Sequence, residues 1–340
     1  MRFILAGVVC ILLLGAWGVR QIDNMLQPAA DHPAPALFQV EAGDSMNGVA
    51  RRLEERGILR SARATRWLAR IEGLDGQLQV GEYELSPDQT PQSILAIITT
   101  GQVKTWSLTI PEGSRALEIA QRIQDEGLGN ARHFMEATND PEWAAALGLP
   151  GPSLEGYLYP DTYTLPRGLS AREITAIMVR QFNRVWVEHV AAWAEQSTLS
   201  QGEIVTLASI VEKETAAPHE RPLIAAVFLN RLARGMRLET DPTVIYGIPN
   251  FDGNLTRAHL RDRNNPYNTY RIRALPPGPI ANPGLEALLA VVKPAETDFL
   301  YFVSRNDGTH AFSVSYREHE EAVTQYQRRR RSRQRAAQKR

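Results

Sequence analysis

Residues 78–101, LQVGEYELSPDQTPQSILAIITTG, read as a strand running into a capped helix. Tyr83 and Leu85 alternate with Glu82 and Glu84, the period-two pattern of a half-buried strand. Thr90-Pro91 then starts a helix: the Thr oxygen caps orphan amides and the proline fits the first turn. Ile94, Leu95 and Ile98 follow at helical spacing, and Gly101 ends the run. Upstream, Phe38 and Val40 alternate with polar neighbours, Gly43-Asp44-Ser45 supplies a turn and a cap, and Met46, Val49, Ala50 and Leu53 form a helical stripe closed by Gly57. A second short helix carries Trp67, Leu68 and Ile71 up to Gly73. The order strand, helix, helix, strand, helix predicts a small α+β module of about sixty residues at 38–101.

The rest of the body, 102–326, reads as a larger mixed α+β domain. A strand at 106–110 leads through Pro111-Glu112-Gly113 into two shorter helical stretches. Ser170 with Glu173 and Ser200 with Glu203 match the capping box, in which Ser and Glu satisfy orphan backbone donors reciprocally. Asn282-Pro283 starts a further helix that stops near Lys293-Pro294. FLYFV (299–303) and HAFSV (310–314) flank Asn306-Asp307-Gly308, a hairpin signal.

The chain has 340 residues, with 43% apolar and 22% charged. That composition excludes a mainly disordered protein. Acids and bases balance at 38 each. Eight of the bases lie in 328–340, RRRRSRQRAAQKR, which leaves the other 327 residues at net −8. An acidic body argues against nucleic acid as partner. The single cysteine, Cys10, excludes a disulfide scaffold. Residues 3–19, FILAGVVCILLLGAWGV, carry no charge and are bounded by Arg2 and Arg20. At about 1.5 Å per residue they just span a bilayer as a helix. The positive-inside tendency exports everything after Arg20. A cleaved signal ending at Ala16-Trp17-Gly18 is the alternative, and it exports the body as well. Residues 1–20 are therefore expected to be the anchor, 21–37 with three prolines a linker, and 327–340 a basic disordered tail.

HExxH, CxxC, P-loop, dinucleotide-type glycine and Gly-x-Ser-x-Gly patterns do not occur, and the seven histidines are scattered. Ser209 lies inside a predicted helix, where its hydroxyl is expected to bond a backbone carbonyl. Carboxylates remain. Glu155 sits in SLEGYLYPDTY (153–163) with Tyr157, Tyr159, Asp161 and Tyr163. Rings beside a carboxylate suit a sugar, and burial against them would keep a general acid protonated. The plain alternative is a turn-capping Glu155 with the tyrosines in the core. In the helix from Ser200, Ile204, Leu207, Ala208 and Val211 share a stripe that Glu214 continues, while Glu212 faces away. A carboxylate on a core-facing stripe needs a partner, either a structural side chain or a substrate.

Together SLEGYLYPDTY, ASIVEKET (208–215), FLNRLARGMRLETDPTVIYG (228–247), PYNTYRIRALPPGPIANPG (266–284) and HAFSVSYREHEEAV (310–323) resemble the endolytic murein transglycosylases of the YceG-like family, in the family's order. The resemblance implies a LysM-like subdomain at 38–101 and a catalytic domain at 102–326. It implies a lytic enzyme cutting peptidoglycan glycan strands from the periplasmic side of the inner membrane, with no metal or organic cofactor. Peptidoglycan synthases (penicillin-binding proteins) are the neighbours it suggests. By motif, the catalytic acid is expected at Glu155; Tyr157, Tyr159, Asp161, Glu212, Glu214, Asn268 and Tyr270 are the expected substrate contacts. Glu239 and Ala274 depart from the family pattern, which usually has Gln and Gly there. Two readings compete with a transglycosylase: a hydrolase pairing Glu155 with Asp161 or Glu214, and a non-catalytic wall-binding protein.

Overall fold

The computed structural model describes residues 15, 17, 18, 20, 21, 23–214 and 217–328. Most of the apolar run at 3–19, and the tail from 329 onward, lie outside the described residues. No helix among the described residues is long and apolar enough to cross a membrane. The chain divides into two units, one of 1–107 with 164–168 and one of 108–163 with 169–340.

In the first unit, β1 (Ala36–Val40) pairs antiparallel with β2 (Gly81–Leu85), and Phe38 lies opposite Tyr83. The alternation sends Phe38, Val40, Tyr83 and Leu85 inward, each at most 1% exposed. Helices α1 (Met46–Glu55), α2 (Ala62–Ile71) and α3 (Pro91–Thr100) complete the expected order. Ser45, Ser61 and Thr90 each cap a helix with the side-chain oxygen, and Gly101 closes α3 in the left-handed region. Met46, Val49, Leu53, Ile94, Leu95 and Ile98 fill the core against the two strands.

The second strand was expected from residue 78 but begins at Gly81, because the Gln79 amide is already spent on the Ile98 carbonyl at the end of α3. The short helix expected to carry Trp67, Leu68 and Ile71 is present as α2; Trp67 and Ile71 are 55% and 62% exposed on it, and it buries Thr65 and Ala69.

β3 (Thr105–Thr109) pairs with β4 (Thr162–Pro166) in a two-stranded ribbon. The second unit is largely helical, with α4 (Ala116–Asp125), α5 (Ala131–Thr138), α6 (Pro141–Ala146) and α7 (Ala171–Val185). At its centre stands α8 (Gln201–Glu214), buried on every side from Ile204 to Val211. It packs on α9 (Arg221–Ala233), α10 (Asp241–Tyr246) and α12 (Leu285–Val292), with α11 (Arg257–Arg261) in the intervening loop. Both expected capping boxes are present: Glu173 accepts the Ser170 amide at 2.7 Å and Glu203 the Ser200 amide at 2.8 Å. The hairpin of β5 (Tyr301–Ser304) and β6 (His310–Ser313) forms as expected, with Asn306 and Gly308 at positive φ in its turn, and α13 (Tyr316–Val323) follows.

Gly81 is required where β2 begins. A Cβ there would overlap Val103 Cγ1, and its φ of +156° is one that side-chain-bearing residues rarely adopt. Gly81→Ala is expected to destabilise the first unit by about 2 kcal/mol. Denaturant dependence of amide exchange in β1 and β2 measures this, with the amides of α8 as the internal control.

Candidate functional site

Glu155 lies on the loop before β4 and is 6% exposed. Its Oε1 accepts the Ala116 amide at 3.0 Å and the Asn282 Nδ2 amide at 3.0 Å; its Oε2 accepts the Tyr246 hydroxyl at 3.3 Å. Asn282 is the organiser of this knot. Its Oδ1 accepts the amides of Gly156 and Leu158 at 2.8 and 2.9 Å, and its Nδ2 also reaches the Ser114 carbonyl at 2.9 Å. Gly156 has φ +90°, and a Cβ there would overlap Pro279 Cγ. One amide side chain thus staples the 155–158 loop to the turn before α4. The expected helix start at Asn282-Pro283 shifts to Leu285, because Asn282 does this work instead.

Burial raises the Glu155 carboxyl to about 7, against the Ala116 amide, the Arg115 charge and the Tyr246 hydroxyl, which lower it. The Arg115 guanidinium lies 5.2 Å from the centre of the Tyr246 ring, closing that side. A general acid must reach the oxygen it protonates, and geometry precedes pKa in that test. The carboxyl of Glu155 is met by protein donors at both oxygens and is sealed among them. The tyrosines of its loop are buried too: Tyr157 at 2%, Tyr159 at 9% and Tyr163 at 7% exposure. Tyr157 packs edge-on against Phe182 and borders a cavity of about 270 Å³ walled by Tyr267 and residues 275–279. The Tyr163 hydroxyl donates to the Tyr159 carbonyl at 2.5 Å. Asp161 is exposed and accepts from Gln181 at 2.6 Å.

Glu214, at the end of α8, has different surroundings. It lines a cavity of about 320 Å³ with Arg231, Glu239, Thr240, Asp241, Tyr270, Phe302 and His319 among the walls. The Thr240 hydroxyl donates to its Oε1. Burial raises its pKa, Thr240 and the charge of His310 lower it, and Asp241 raises it further. The wall is rigidly built. Thr240 receives support from Thr269, whose hydroxyl accepts the Thr240 amide at 3.1 Å and lies 2.8 Å from the Thr243 hydroxyl. The Tyr270 hydroxyl donates to Asp241 at 2.7 Å. Arg231, 8% exposed, donates to the carbonyls of Leu300, Leu238 and Arg237 at 2.7 to 3.0 Å. Glu239 stands in the left-handed region at φ 54°, and its carboxylate is 3.4 Å from Arg231. Such a backbone is unusual for a residue with a side chain.

The structure therefore brings Glu214 and Tyr270 together at one cavity, and Thr240 and Asp241 with them. It does not bring Glu155 there as a lining residue. Glu212 turns away from the Glu214 stripe as expected, but into a second packing surface: it pairs with Arg221 at 2.8 Å and accepts the Gly284 amide at 3.1 Å. Asn268 is a correction among the expected substrate contacts. It is fully buried, and its amide donates to the carbonyls of His259, Leu260 and Asp262, which fixes the loop of α11. Ser209 donates to the Thr206 carbonyl at 2.7 Å as expected, and also accepts the Ile280 amide. Tyr246, Asn282, Thr240 and Arg231 were not singled out from the sequence. All four lie in the segments 228–247 and 266–284 that carry the family resemblance, which is the signal that could have found them.

Because the folded-state pKa of Glu155 lies above its unfolded value, the buried proton stabilises the fold below about pH 4.5, and that stabilisation fades as pH rises to about 7. Glu155→Gln mimics the protonated form: its oxygen accepts from Ala116 and Asn282 while its amide faces Tyr246. The variant is expected to match the native chain at about pH 3.5 and exceed its unfolding free energy by roughly 3 kcal/mol at pH 8. Denaturant titrations of both proteins at the two pH values measure the difference.

Compared with known proteins, residues 38–325 match the profile of the YceG-like family. An endolytic murein transglycosylase of Bacillus subtilis is 29% identical over 320 residues, spanning 89% of this chain and 88% of that protein. An endolytic murein transglycosylase of Streptococcus pneumoniae is 25% identical over 360 residues, covering 95% of this chain and 65% of that protein. The crystal structure of a YceG-like protein of Listeria monocytogenes superposes with a TM-score of 0.59 and 31% identity, over 85% of this chain and 99% of that one.

Proposed function

Since the chain belongs to the YceG-like family, we propose that it is a lytic transglycosylase cutting within peptidoglycan strands, with Glu214 as its single acid and base. The observation that carries the assignment is the Glu214 carboxyl itself, bonded by Thr240 and lining a cavity whose wall includes Asp241 and Tyr270. Its raised pKa keeps it protonated to higher pH than a solvated glutamate, as a proton donor needs. Glu155 holds the loop and takes no part in the proton transfers.

The neutral Glu214 carboxyl donates its proton to the bridging oxygen of a MurNAc–GlcNAc β-1,4 bond, and that bond breaks toward the leaving GlcNAc hydroxyl. Oxocarbenium character develops at C1 of MurNAc. The Glu214 carboxylate then takes the proton of the MurNAc C6 hydroxyl, O6 closes on C1, and a 1,6-anhydro ring results. One carboxyl suffices because the nucleophile is carried by the substrate and profits from proximity. The Thr240 hydroxyl holds the carboxyl in one orientation, and the rings of Tyr270 and Phe302 offer faces for a pyranose. A hydrolase reading uses Asp241 or Glu239 as the second carboxylate on the same wall.

In this reading the body of the chain lies in the periplasm, tethered to the inner membrane by residues 3–19 and able to act on strands as synthases release them. Residues 38–101 are its LysM-like subdomain. Support comes from the uncharged run between Arg2 and Arg20 and from the family likeness.

Glu214→Gln is expected to lower the rate of glycan-strand cleavage by about 10²–10⁴-fold with an unchanged fold, the range lost with a general acid-base group. Glu155→Gln is expected to cleave within a few-fold of the native rate. Mass spectra of the native products are expected to show anhydro-MurNAc ends; reducing ends would select the two-carboxylate hydrolase. If Glu155→Gln is inactive and Glu214→Gln cleaves normally, the roles given to the two residues are reversed.

A further inference from the structure

The exposed face of α2 has the composition of a lipid-facing surface helix. From Arg60 to Ile71 the sequence RSARATRWLARI holds four arginines and no acid. Helical geometry puts Arg63, Arg66, Trp67 and Arg70 on the side opposite the buried Thr65 and Ala69, and Ile71 flanks them. Trp67 and Ile71 stay exposed, an unusual place for large apolar groups with a core within reach. Among the described residues none of these arginines forms an ion pair; Arg66 donates to the neutral Asn47 side chain at 3.0 Å.

Three of the arginines and Trp67 also line a cavity of about 500 Å³ with Met25. Met25 belongs to the segment that leaves the apolar run, six residues beyond Val19. Six residues of chain reach at most about 20 Å even fully extended. Arg60 reaches back to the same segment, donating to the Pro28 carbonyl at 2.5 Å. We infer that this face of α2 docks on a bilayer rich in anionic phospholipid, with Arg63, Arg66 and Arg70 on the phosphates and Trp67 and Ile71 at the headgroup boundary. Both halves of the pattern are needed: apolar side chains alone would suit a protein partner, and arginines alone would suit any anion. The short path from the run at 3–19 holds the face near such a surface, and to that extent the inference rests on the anchoring reading above.

The test uses the full chain in lipid nanodiscs, once with phosphatidylcholine alone and once with phosphatidylcholine mixed with phosphatidylglycerol. Hydrogen–deuterium exchange follows the amides of residues 60–71, and brominated lipid probes quenching of Trp67 against a Trp67→Phe control. Protection and quenching are expected in the anionic discs, with little in the neutral ones. Reversing Arg63, Arg66 and Arg70 to Glu is expected to abolish both, since each arginine near an anionic surface contributes on the order of fivefold in partitioning. The triple variant is expected to keep its rate on soluble glycan strands. Equal signals in both discs, none in either, or protection that appears only when glycan strands are added would each overturn the inference. Flotation of the discs reports the anchor separately, and cleavage of soluble strands reports the enzyme, so neither failure can pass for this one.

Discussion

The second unit is organised by one buried constraint: the side chain of Asn282 must be fully hydrogen-bonded, and it is satisfied only when three distant segments meet. It accepts from Gly156 and Leu158 and donates to Ser114 and Glu155, across sequence separations of more than a hundred residues. A half-satisfied polar network in the interior costs more than an apolar one, so this knot specifies a single arrangement of the loop, the turn before α4 and the approach to α12. With that arrangement fixed, α8 lies fully enclosed between its neighbours, and its last turn projects Glu214 to the end of the packed core.

Glu155, which is buried, and Glu214, which is half-buried, share a desolvated carboxyl but differ in what it can reach. Both have raised pKa values, and desolvation is the leading cause for each. What separates them is what the carboxyl faces. Around Glu155 the donors of Ala116, Asn282 and Tyr246 occupy the oxygens and stand where a substrate would have to stand. Around Glu214 the Thr240 hydroxyl fixes the orientation, and a cavity lies beside it. In the proposed mechanism it is the second arrangement that lets a proton leave the protein for a bound sugar.

The local patterns were legible in the sequence. Alternation at Phe38 and Val40, the Thr90-Pro91 start, the two capping boxes and the Asn306–Gly308 turn all depend on neighbours within a few residues, and all appear in the structure. The placement of Glu214 on a core-facing stripe was legible as well, because helical periodicity carries it. The partners of Glu155 were not. Its loop is dense in tyrosine, which suits a sugar site and a packed core equally, and only its partners at 116, 246 and 282 decide between them. Helix α2 was legible as a helix but not in its orientation: Ala69 and Thr65 fit the close approach to α1, which turns Trp67 and Ile71 outward.

The division of labour between the two glutamates is tested most directly by carbon-13 NMR of side-chain carboxyls, assigned through Glu155→Gln and Glu214→Gln and titrated with and without a non-cleavable glycan fragment. Occupancy of the site is predicted to move the Glu214 resonance and its apparent pKa while leaving those of Glu155 in place. A fragment that shifts Glu155 and leaves Glu214 unmoved would contradict the account.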